Sequence, residues 1–237
     1  MKKKNLTRLS TIAIFMVIVH YMNWDDRLYY FLFKDSSETT VHLSKYSLQN
    51  KIVLDGEINL SGVTYNPRSD TLFLITNDPT KLIECNKSGE VIRTIKLEGF
   101  RDTEGLCFTP AGNLAILEER IQTLSICKLS ETKDTIHKKN ALKTISLSIY
   151  NHDNKGFEGI SYFPDKESFS FVKEKNPPSL LQLKYDDTSF SIEYIADFKN
   201  YYLEDYSDIF CKSNGLLMLS NEAALLSEVN YSGDILS

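Results

Sequence analysis

From Tyr46 onward the apolar residues come in short runs separated by Gly, Pro, Asn and Asp. TLFLITN from Thr71, KLIECN from Lys81, VIRTIKL from Val91, NLAILEE from Asn113 and TLSICKL from Thr123 are the clearest. Runs of this length with turn residues at both ends predict strands. No helical period persists through this region, so it reads as all-β.

The strands fall into sets. Each set opens on a small or acidic residue leading into an apolar strand, turns, and returns through a strand that ends on a polar or acidic residue. Such pairs occupy residues 61–77, 104–119, 158–174 and 208–222. Two further strands follow a pair, as around the turn at Lys87, Ser88 and Gly89. Sets of four strands recurring about every 40 to 50 residues predict the blades of a β-propeller. A β-sandwich with chance spacing is the alternative, and fourfold repetition of one order speaks against it.

The N-terminus has a different pattern. Lys2, Lys3, Lys4 and Arg8 precede an apolar run from Leu9 to Met22, a positive flank before a hydrophobic stretch. This predicts an export signal or signal anchor over residues 1–24. The run leaves through His20, Tyr21, Met22, Asn23 and Trp24, with no small-residue cleavage site, which favours an uncleaved anchor. The propeller then lies outside the cytoplasm, on the periplasmic side of the inner membrane, because the basic flank stays inside. Residues 25–45 show no clear period and read as a tether, leaving 46–237 as the propeller domain.

A net charge of -5 argues against a nucleic-acid partner, which needs clustered Lys and Arg. Cys85, Cys107, Cys127 and Cys211 form no CxxC pair, and His20, His42, His137 and His152 have no metal-ligand spacing. Equivalent places on separate blades also put Cys107 and Cys211 too far apart for a bridge. No GxSxG, P-loop or GxGxxG is present.

Several stretches resemble the SdiA-regulated (YjiK-like) family of bacterial envelope proteins. They are EINLSGVTYNPRSDTLFLITNDP from Glu57, GFRDTEGLCF from Gly99, LEERIQTL from Leu117, NKGFEGISYFP from Asn154, FVKEKNPP from Phe171 and LSNEAALLSEVN from Leu219. The resemblance implies an N-terminal anchor and a five-bladed, NHL-like propeller, with a calcium site in at least one member. It implies no established activity. The family continues through a last blade, whereas this sequence stops at Ser237. Four blades are countable, with residues 46–54 expected as the closing strand of a fifth, so an incomplete, open ring is expected.

In a blade the first two strands are antiparallel, so the start of one and the end of the next share a face. That places Glu104 near Glu119, Glu158 near Glu174 and Asp208 near Glu222 at one mouth of the channel, with Ser61 and Asn77 in the corresponding places of the first blade. Asp102 lies just ahead of its strand. Converging carboxylates repel one another unless protonated or paired. An all-oxygen donor set suits calcium better than zinc or copper, and Glu104, Glu158, Asp208 and Asp102 are the expected ligands. The alternative is purely structural, with the carboxylates accepting backbone N–H bonds and Gly105 and Gly159 allowing close approach. It is favoured for Glu119 and Glu174, which have basic neighbours in Arg120, Lys173 and Lys175.

Two functions remain. One is an anchored module that binds calcium and recognises a small molecule or a protein. The other is a calcium-dependent hydrolase of esters or lactones, with His152 the nearest proton acceptor; fold-level analogy alone supports it.

Overall fold

The computed structural model describes residues 2–22, 24–33, 41–42, 45–49, 51–54, 56, 59–147, 156–175, 179–185, 189–197, 205–231 and 236. His152, residues 34–40 of the expected tether and residues 232–235 lie outside the described residues.

Two helices come first, α1 (Lys2–Tyr21) and α2 (Trp24–Phe33). The second falls in the stretch read as a tether and gives its first part helical structure. WDDRLYYFLF contains no Gly or Pro, and its bulky side chains hid the helical period. His20 Nδ1 and Asp25 Oδ2, 2.9 Å apart, join the two helices. Among the described residues no helix is long and apolar enough to cross a membrane. The basic residues Lys4 and Arg8 take up the first turns of α1.

The remainder is a four-bladed propeller arrangement of antiparallel sheets. The first blade is β1 (Leu60–Asn66), β2 (Thr71–Asn77), β3 (Thr80–Cys85) and β4 (Val91–Glu98). The second is β5 (Thr103–Phe108), β6 (Leu114–Glu118) and β7 (Thr123–Cys127), completed by β9 (Lys143–Ser146). Between β7 and β9 the short β8 (Thr135–His137) crosses back and pairs parallel with β4, tying the two blades at their outer edge. The third is β10 (Phe157–Phe163), β11 (Ser168–Lys173), β12 (Ser179–Tyr185) and β13 (Phe190–Asp197). The fourth shows β14 (Asp208–Lys212), β15 (Gly215–Ser220) and β16 (Leu225–Val229). Residues 46–49 and 51–54, expected as a closing strand, form none. Instead Val41 N donates to Glu228 Oε2 in the fourth blade, at 3.2 Å.

The core lies between blades. Phe73, Ile75 and Leu82 meet Leu106 and Ile116. Leu117 and Ile126 meet Phe157 and Phe171. Val172 and Leu180 meet Ile209 and Met218. Each such buried side chain contributes about 1.5–3 kcal/mol of burial free energy. The inward alternation along β5 and β10 is therefore enforced by neighbours on both sides. On the faces without a neighbouring blade among the described residues, Val63 and Phe210 are 54% and 60% exposed.

Inner strands approach backbone to backbone, which dictates glycine after the repeated acid. A Cβ on Gly62 would sit 2.7 Å from Glu104 O, and one on Gly105 would sit 2.5 Å from Glu158 O. Both distances are far inside contact, so no larger residue fits there. All four cysteines are reduced and buried.

Candidate functional site

The acid–glycine repeat is a β-bulge. The β1–β2 register slips between Leu60 and Gly62, β5–β6 between Thr103 and Gly105, and β10–β11 between Phe157 and Gly159. The unpaired extra residue is Ser61, Glu104 and Glu158 in turn. A bulge re-aims its side chain and ends regular pairing. In each blade the second strand then closes on the residue two before the bulge: Asn77 N donates to Asn59 O, Glu119 N to Asp102 O and Glu174 N to Gly156 O. Asn59 and Asp102 both hold left-handed backbone there, at φ 58° and 53°, a conformation Asn and Asp tolerate better than most residues.

This geometry collects carboxylates at one channel mouth. Asp102, Glu104 and Glu119 form one group, and Glu119, Glu158 and Glu174 a second; within each, one oxygen per residue lies within 4.8 Å of the others. Glu119 belongs to both. It was expected to serve a structural role with Arg120, but Arg120 Nε instead lies 3.3 Å from Asp102 Oδ2.

Asp208 joins neither group, which corrects its expected place beside Glu104 and Glu158. The fourth blade has no bulge: Asp208 pairs with Leu219 and Ile209 with Met218 in unbroken register. A Cβ on Gly159 would meet Asp208 Cα at 2.6 Å and Ile209 N at 2.8 Å, whereas one on Gly105 would meet Ile160 Cγ2 at 2.9 Å. Ile209 thus matches Ile160, Asp208 matches the glycine, and Ser207 matches the acid. Counting onward, Asn221 rather than Glu222 corresponds to Glu174. Glu222 faces solvent and pairs with Lys175, which also lies 3.1 Å from Glu174 Oε1. The acid that does approach from this blade is Asp205. It is buried, takes a hydrogen bond from Ser220 Oγ at 2.5 Å, and accepts from Asn221 N and Glu222 N. No repeat signal pointed to it, because it precedes the strand.

The electrostatics follow from crowding. Burial first, then the charges of Glu174, Glu119, Glu104 and Asp205, push the Glu158 carboxyl up to about 8. Burial also raises Glu119, assisted by Asp102, Glu104 and Glu174, against the hydrogen bond from Gly156 N. Burial raises Glu104 likewise, although Asn77 Nδ2 donates to its Oε1 at 2.9 Å. Asp208 is raised to about 6 by burial, and its one countervailing bond comes from Ile209 N. Burial opposes the charged form of Lys175, but hydrogen bonds to Glu222 and Glu174 outweigh it and hold the ammonium above the ordinary lysine range. Of the clustered acids only Glu174 and Asp102 have a cationic partner among the described residues. A cation placed among these acids would favour their ionised form.

A family model described as SdiA-regulated matches residues 37–237. Among solved structures, a protein of unknown function from Bacteroides caccae is similar at 15% identity and TM-score 0.53, over 75% of this chain and 65% of that one. A protein from Lactobacillus plantarum is similar at 14% identity and TM-score 0.52, over 74% and 55% of the two chains. A streptogramin B lyase is similar at 15% identity and TM-score 0.50, over 75% and 54%. At such identities the likeness is one of fold. The chain spans between about half and two thirds of the length of these structures.

Proposed function

We propose that this chain, which belongs to the SdiA-regulated family, is a membrane-anchored extracytoplasmic propeller that holds calcium at its channel mouth and acts as a binding module. The observation that carries the metal reading is Glu119, shared by two carboxylate groups, within each of which one oxygen per residue lies within 4.8 Å of the others. The ligands are Glu104, Glu119 and Glu158, with Asp102 and Glu174 completing the set from either side. Carboxylate oxygens alone suit a hard cation, and a set this large suits calcium better than magnesium. A bound ion would supply the positive charge the acids otherwise lack, and would fix the ends of β5, β6, β10 and β11 together.

The anchor reading is supported by α1. Leu9, Ile12, Phe15 and Val17 are each about 60% exposed. An apolar surface of this kind on a helix with a basic start favours a bilayer. Residues 1–24 would be the anchor and 46–237 the propeller outside, presenting the mouth to a small-molecule or protein ligand.

Thermal unfolding with and without calcium tests the metal reading. A ligand that binds only the folded state raises stability by about 2.7 kcal/mol at a hundredfold excess over its Kd. An unchanged midpoint would refute it. Turnover of an ester or lactone that needs calcium and is lost in Glu119→Gln would replace the binding module with a hydrolase.

A further inference from the structure

We infer that the cleft beside the carboxylates binds a small molecule bearing an oxyanion, a carboxylate, sulfate or phosphate group, clamped by Arg101 and Arg120. This rests on the calcium reading above and names the ligand class of that site.

The cleft has a volume of about 770 Å3, within the range usual for small-molecule sites. It lies between the first and second blades. One wall is the β2–β3 turn with Asn77, Asp78 and Thr80, and the other is Arg101, Asp102 and Arg120 over the buried ring of Phe100. Asn77 and Asp102 reach both ways. Asn77 lines the cleft and also donates to Glu104, while Asp102 lines it and also belongs to the first carboxylate group. Cleft and acids are therefore one continuous surface.

Its walls set two guanidinium groups against the carboxylates of Asp78 and Asp102, the second lying beside Arg120. Arg101 is fixed at its backbone, where its N–H donates to the fully buried Glu118 at 2.8 Å. Its guanidinium is exposed and has no ion pair among the described residues. Arg120 is anchored through Nε by Asp102, 67% exposed, and is the second guanidinium of the cleft. Guanidinium forks match carboxylate, sulfate and phosphate oxygens, and the side-chain amides of Asn59 and Asn77 add neutral donors. With the neighbouring acids ionised and bare, however, an anion entering the cleft is repelled. A divalent cation on Glu104 and Glu119 would cancel their two charges and remove most of that repulsion. The two ligands are then coupled, and each tightens the other by the same factor.

Isothermal titration with sulfate, and separately with acetate, on the full chain decides the matter. With calcium bound, an oxyanion should bind at least about tenfold more tightly than in EGTA. The double variant Arg101→Ala, Arg120→Ala should lose that binding and still bind calcium, at least as tightly as wild type, because Arg120 no longer competes for Asp102. Equal oxyanion binding by wild type and the double variant, or none to the calcium-loaded protein, overturns the proposal. If calcium itself fails to bind, the metal reading falls separately. The cleft is then judged in EGTA alone, where binding lost in the double variant upholds the clamp and its absence overturns it.

Discussion

Glu119 accepts a hydrogen bond from Gly156 N at 2.8 Å, across the boundary between the second and third blades. The same glycine packs so closely that a Cβ on it would lie 2.5 Å from Glu119 O. One oxygen of Glu119 is thereby latched to the next blade, and the carboxylate is held where both acidic groups meet. Position and chemistry at the mouth are set by this contact.

Gly156→Ala should therefore loosen the latch. An added methyl group forced into a packed contact costs about 1–3 kcal/mol, so the denaturation midpoint should fall by a corresponding amount at unchanged slope. Calcium affinity should fall in the same variant, because Glu119 is displaced. A variant as stable as wild type would show that the contact relaxes freely.

Glu118, the neighbour of Glu119, does different work. It is wholly buried, bonded to Arg101 N and to Lys138 Nζ at 2.5 Å. Removing one partner of a buried pair costs about 3–5 kcal/mol, and the partial exposure of Lys138 places Glu118→Ala at about 3 kcal/mol. Urea denaturation measures it. A loss below about 1 kcal/mol would mean that the pair behaves as a surface ion pair.

The contrast between these adjacent acids shows how much could be read from sequence. The blades were legible because apolar runs and turns repeat in one order, and Glu104 and Glu158 because each precedes a glycine. The bulge behind that spacing was not legible, since register depends on pairing across strands. Asp208 looked equivalent for that reason: the fourth repeat lacks the bulge, and counting from its acid lands one residue off. Glu119 was assigned to Arg120 by adjacency, but the two lie in the turn after β6, where Arg120 reaches Asp102 instead. The pairing of Glu174 with Lys175 was legible from adjacency, but the second bond of Lys175, to Glu222, crosses between blades, and no local pattern links Asp205 to Ser220, Asn221 and Glu222 of its own blade.

The raised carboxyls make stability depend on pH in a definite sense. Between the ordinary glutamate value near 4.5 and about 8, folded Glu158 holds more proton than the unfolded chain does. Where the folded state binds more protons, stability falls as pH rises. In EGTA the unfolding free energy should therefore decline from about pH 4.5 to about pH 8. Glu104 and Glu119 contribute in the same direction. Glu158→Gln should flatten the slope, and calcium should restore stability at the alkaline end. A slope of opposite sign in wild type would contradict the crowding of the acids.

The topology proposal has its own check. Alkaline phosphatase fused after Ser237 should be active in cells and recovered with the membrane fraction, because that enzyme matures only outside the cytoplasm. Replacing Ile12, Phe15 and Val17 by Asp should abolish both. An inactive fusion would place the propeller inside.

Calcium calorimetry on three proteins tests the central claim most directly. Wild type should bind calcium. Glu119→Gln, which keeps the oxygen bonded to Gly156 but removes the charge shared by both groups, should weaken binding at least about tenfold. Asp208→Asn should leave it unchanged, because that acid lies outside both groups. Calcium binding that survives in Glu119→Gln and is lost in Asp208→Asn would contradict the account, as would no binding to wild type.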